Sequence, residues 1–253
     1  MTSTAWLPRQ HGAWAMLAVP ALVGMIRGGP EAVHALLLPA WLAAYLAFAA
    51  AGNALHARRR PTTFAPLLTY GGIALVLGIG ALALRPELLV WAVAFAPLAL
   101  VSLGASAARA DRSLLNDAVT ILAACLFALV AYQASGGALP PDPEGVVMAW
   151  VAAALFAYFF GTAFYVKTVI RERGNPAFHR LSVGYHAAWT LFWAGSGSLG
   201  VPIGPPTQVG VTVFFAVLTV RAAVLAGRSL RPLHVGLGEI VASLVLGGLA
   251  LTW

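Results

Sequence analysis

Residues 145–170 read GVVMAWVAAALFAYFFGTAFYVKTVI, and no charged side chain interrupts the run before Lys167. About 20 consecutive apolar residues cross a bilayer as a helix, since each residue advances roughly 1.5 Å along the axis. The run does not alternate with period two, and a barrel would need short alternating segments of about ten residues. Outward from this stretch, comparable runs recur from residue 12 to the C-terminus, broken only by short charged or Pro/Gly-rich turns. They divide into spans at about 11–28, 33–56, 64–84, 87–107, 114–134, 145–170, 178–198, 207–227 and 232–253. The expected fold is all-α: a polytopic integral membrane protein of nine transmembrane helices forming one domain over residues 1–253.

Composition agrees with that division. Of the 253 residues, 60% are apolar and 9% charged, where a soluble chain carries about 25% charge. Cys125, the one cysteine, lies inside an apolar run, which leaves neither a disulfide framework nor a cysteine-based metal site. Met1 to Gln10 hold one cation and no cleavable pattern, so no signal peptide is expected and the first apolar segment is retained.

Lysines and arginines sort by side. Thirteen of the 15 fall at one end of the spans: Arg9, Arg58 to Arg60, Arg109, Arg112, Lys167, Arg171, Arg173, Arg180, Arg221, Arg228 and Arg231. Only Arg27 and Arg85 fall at the other. By the positive-inside rule the N-terminus is cytoplasmic and the C-terminus external, in a bacterial inner membrane. The same rule accounts for the net charge of +7, so no nucleic-acid partner is expected.

Polar groups within spans are costly and are functional candidates by default. They gather towards the cation-rich end: His11 opens the first span, Asn53 and His56 close the second, Asn116 and Asp117 open the fifth, and Lys167 and Arg171 close the sixth. His186, Arg221 and Glu239 follow in the last three. Asn53 and His56 lie on one helical stripe with Tyr45, and Glu239 shares another with Gly236, Ser243 and Gly247. These positions suggest a cytoplasm-facing pocket whose substrate-binding residues are Asn53, His56, Lys167, Arg171, Asp117, His186, Glu239 and His11. Each also has a plainer reading. The cations serve as topology signals, Glu239 pairs with Arg221 or Lys167, Asp117 favours a helix start, and His186 is a core histidine. No histidine stands three or four residues from another histidine or a carboxylate on a helix, so no metal site and no cofactor is expected.

The opening Trp6-Leu7-Pro8-Arg9-Gln10-His11-Gly12-Ala13-Trp14-Ala15-Met16 and the later Ile170-Arg171-Glu172-Arg173-Gly174-Asn175-Pro176 resemble the YwiC-like family of bacterial membrane proteins, which has no assigned reaction. The layout is also similar to the UbiA-type membrane prenyltransferases. That resemblance implies a bundle of nine helices around a central cavity, with Asn-Asp-x-x-Asp-x-x-x-Asp and Asp-x-x-x-Asp-x-x-x-Asp motifs that hold Mg²⁺ on a prenyl diphosphate. Asn53 fits the first Asn, but Ala54, Ala57 and Pro61 stand where the acids belong, and the second frame reads Lys167, Arg171 and Asn175. Carboxylates hold a hard dication and ammonium or guanidinium groups repel it, so magnesium-dependent prenyl transfer of the usual kind is not expected. The cations instead suit direct contact with an anionic lipid or isoprenoid headgroup. Whether a reaction follows is open. A small-solute permease using Asp117 and Glu239, and a membrane assembly factor with small-residue faces, are the alternatives.

Overall fold

The computed structural model describes Trp6 and residues 11–56, 64–225, 228 and 231–253, without the side chains of residues 11, 12 and 56. Among these residues all regular structure is helical. The helices are α1 His11–Gly28, α2 His34–His56, α3 Phe64–Leu84, α4 Trp91–Ala107, α5 Leu114–Ala134, α6 Pro143–Ile170, α7 Pro176–Gly195, α8 Pro205–Leu225 and α9 Pro232–Leu251. Short 3-10 turns lie at Pro86–Val90 and Ser196–Leu199. Seven of these segments are long and apolar enough to cross a membrane. Outside that set, α1 has a shorter apolar stretch, Ala13–Gly28, and α7 carries His179, Arg180 and His186. The chain is a multi-pass helical membrane protein.

Local chemistry sets the helix starts. Ser113, Asp142 and Asn175 accept hydrogen bonds from first-turn amides of α5, α6 and α7. Proline follows directly in α6 and α7, where its missing N–H leaves no intrahelical bond unmade.

The central helix is α6, with Met148, Val151, Leu155, Tyr158 and Val169 at 0–1% exposure. α5, α7 and α9 pack on it, α1 lies across α5 and α9, and α7 pairs with α8. The remaining group of α2, α3 and α4 joins the bundle mainly where α4 meets α5. α3 is peripheral: only its Pro66 and Ala81 are buried, while Leu68, Leu75 and Val76 are exposed. In a bilayer such side chains face hydrocarbon and need no further cover.

The seam between α1 and α5 is closed by Gly24. A Cβ at that position would fall inside the carbonyl of Ala128, so the two backbones touch there.

Opposite the cation-rich end the bundle is plugged. Trp193, fully buried, packs its ring against Trp150, Trp189, Phe215 and Trp253 at centroid distances of 5.3–6.4 Å. Beside it Arg27 donates to the carbonyls of Ala250 at 3.1 Å and Trp253 at 3.2 Å, and its guanidinium lies 3.8 Å from the Glu144 carboxylate. Those bonds occupy carbonyls at the open C-terminal end of α9, which the helix itself cannot satisfy.

Candidate functional site: a cavity between α1, α5, α6 and α9

A cavity of about 450 Å³ lies between α1, α5, α6 and α9, a volume within the range of about 300–1,000 Å³ usual for small-molecule sites. Ala13, Ile170 and Pro232, all near helix ends, line one part of it, and Tyr158 and Ser243 line another. Ile170 and Tyr158 are separated along α6 by about 18 Å at roughly 1.5 Å per residue. The cavity therefore runs from the cation-rich end to about the middle of α6.

Glu239 lines the cavity and is 5% exposed. A carboxylate so placed is tolerated only when paired and hydrogen-bonded. Arg221 of α8 donates to its Oε1 at 2.5 Å, while Thr162 at 2.7 Å and Tyr158 at 3.0 Å donate to its Oε2. The Ser243 hydroxyl, one turn on, donates to the backbone carbonyl of Glu239 at 2.6 Å. Arg221 in turn lies 4.0 Å from the centre of the Tyr165 ring, and its Nε and Nη2 are buried without an acceptor among the described residues. Helices α6, α8 and α9 are thus joined through one carboxylate.

A second ion pair sits nearer the mouth. The Lys167 ammonium contacts the Asp117 carboxylate, with side-chain exposures of 12% and 24%, and donates to the carbonyl of Arg112 at 2.8 Å. Asp117 lines the cavity beside Thr120. Arg171, the residue after lining Ile170, is exposed, as is Arg231 before lining Pro232.

The other residues singled out from the sequence are placed apart. His186 is 1% exposed and lies behind α6: its Nδ1 donates to the carbonyl of Ser182 at 2.7 Å, and a Cβ on Gly161 would come within 2.9 Å of its Nε2. It does not line the cavity. Asn53 is exposed and, among the described residues, no part of α2 lines the cavity or contacts α6. Of the two residues expected to share one pocket, Lys167 stands beside this cavity and Asn53 lies away from it. The wall is supplied instead by α1, seated on α5 by Gly24. The side chains of His11 and His56, and Arg58 to Arg60, lie outside the described residues.

Tyr158 and Thr162 were missed in the sequence. Their signal was present, as the only hydroxyl-bearing residues between positions 145 and 164, spaced four apart so that both fall on one helix face.

The sequence pattern of the YwiC-like protein family matches residues 7–132. A Bacillus subtilis (strain 168) relative named Uncharacterized protein YwiC is 36% identical over 184 residues, covering 72% of this chain and 74% of its own. The chain belongs to the YwiC-like family. A Haemophilus influenzae relative, named as an uncharacterized protein, is 27% identical to this YwiC-like chain over 239 residues, which is 94% of each. No solved structure matches the chain.

Proposed function

We propose that this YwiC-like protein sits in the bacterial inner membrane and takes an amphiphile with an anionic headgroup, a lipid or an isoprenoid, into the cavity without a metal ion. Its N-terminus and the cavity mouth face the cytoplasm and its C-terminus faces outward, a reading supported by the sorting of 13 of 15 cations to one end. The observation that carries the proposal is a group of cations at the mouth of a cavity with apolar walls. Lys167, Arg171 and Arg231 stand at or beside that mouth, Met16, Phe159, Ala163 and Val166 supply apolar wall, and the polar groups further in, Glu239, Tyr158 and Ser243, are already hydrogen-bonded to one another. An anionic head at the mouth would exchange with the Asp117 carboxylate for the Lys167 ammonium, one charge-assisted bond for another. Lys167, Arg171, Asp117 and Glu239 belong to this site; Asn53 and His186 stand outside it.

The test is binding of a long-chain alkyl phosphate to the protein in mild detergent. Losing one charge-assisted contact costs about 1.5–3 kcal/mol, or roughly tenfold or more in affinity. Lys167→Met is expected to show that loss, Lys167→Arg to retain most of the affinity, and Arg180→Gln, an exposed change on α7, to leave it unchanged. EDTA should have no effect. Equal affinities of Lys167→Met and Arg180→Gln, or release by EDTA, refute the proposal.

One observation favours a second reading. Asp117 and Glu239 line the same cavity from two helices, as the carboxylates of a cation- or proton-coupled permease would. Solute uptake into vesicles separates the two.

A further inference from the structure

We infer that the site is bipartite: the hydrocarbon chain of the bound amphiphile passes between α1 and α5 into a separate apolar chamber, with Met16 as the movable partition. This rests on the reading that the polar cavity holds an amphiphile, and it names the class as a single-chain one.

The chamber, about 210 Å³, lies between α1, α2, α4 and α5 and is walled by Trp41, Tyr45, Phe48 and Phe95. Its wall is held by ring contacts that need no ligand. Trp41 stacks on Phe127 at 4.2 Å and meets Phe95 edge to face at 6.0 Å.

Two residues, Met16 and Thr120, line both the chamber and the polar cavity. The α1–α5 seam therefore separates the two spaces by one side chain from each helix at this level, whereas further along Gly24 brings the backbones into contact. Thr120 places no demand on a passing chain, because its hydroxyl donates to the carbonyls of Asn116 at 2.8 Å and Asp117 at 3.1 Å within its own helix. Met16 is unbranched, with a soft thioether and three rotatable bonds, and can vacate a gap without backbone movement.

The levels fit one bent molecule. The polar cavity begins at the helix ends around Ile170 and Pro232, while the chamber is reached at Trp41 to Phe48 of α2 and Phe95 to Ser102 of α4, towards the middles of those helices. A head at the mouth leaves its chain pointing inward, past Met16. Bilayer lipid already offers an apolar surrounding, so the chamber contributes shape rather than transfer energy. Its small volume and aromatic walls admit one chain and exclude the second chain of a diacyl lipid.

The test uses a long-chain alkyl phosphate carrying a terminal diazirine, photolysed with the purified protein, and maps the label that unlabelled alkyl phosphate displaces. The displaceable label is expected on the segments 41–48 and 95–102. Ala123→Phe and, independently, Ala99→Phe fill the chamber from α5 and from α4, and each should abolish that label while the probe still binds. A diacyl phosphatidic acid should compete poorly. The inference is overturned if displaceable label falls instead on α6 and α9, or if both filled variants that remain monodisperse label as the parent does. No displaceable label anywhere would remove the amphiphile reading itself, and the chamber's role with it.

Discussion

Replacing Glu239 with leucine tests the polar centre most directly. The substitution leaves the Arg221 guanidinium in a low-dielectric site with no carboxylate, where its side chain is 17% exposed and that of Glu239 is 7% exposed. Removing one partner of a buried pair costs about 3–5 kcal/mol, because the surviving charge is uncompensated. Here the lower figure applies. Arg221 keeps the Tyr165 ring at 4.0 Å, and the Tyr158 hydroxyl keeps the Glu239 backbone carbonyl at 2.9 Å. A loss of about 3 kcal/mol lowers the midpoint by roughly 6–12 °C for a chain of this size, measurable by tryptophan fluorescence during melting in detergent. Glu239→Gln should fall between the parent and Glu239→Leu. The amide has one acceptor for the Arg221 donor on one side and the Tyr158 and Thr162 donors on the other. In the double variant Glu239→Leu with Arg221→Met no charge remains buried, and the midpoint should recover most of the loss. If Glu239→Leu melts with the parent, or the double variant is no more stable than the single, Glu239 is not held by this pairing.

Two further outcomes follow from the helix arrangement. Reporter fusions after residues 60, 140, 175, 204 and 253 should read inside, outside, inside, outside and outside, from the cation sorting; a cytoplasmic signal at Trp253 refutes nine spans. Gly24→Ala should destabilise by about 1–3 kcal/mol, since its new methyl meets the backbone of Ala128 and not a side chain that can turn away; an unchanged melting midpoint would show that α1 and α5 are not in contact there.

The helical class and the division into spans were legible from residue order alone. A run such as 145–170 has one stable form in hydrocarbon, because a helix satisfies every backbone donor and acceptor within the segment. The same physics marked Asp117, Lys167 and Glu239: an ionisable group in an apolar run is costly enough to stand out before any neighbour is known. What the order of residues left open was which opposite charge each would meet. Glu239 had both Arg221 and Lys167 as candidate partners, and only the packing of α8 against α9 gave it Arg221, while the end of α6 carried Lys167 to Asp117 on α5. Nor could it decide which helices wall the cavity. Asn53 stands at a helix end as Lys167 does, but depth in the membrane says nothing about azimuth around the bundle. That is set by close contacts such as Gly24 against Ala128, which seat α1 on α5 beside the cavity while α2 packs against α3.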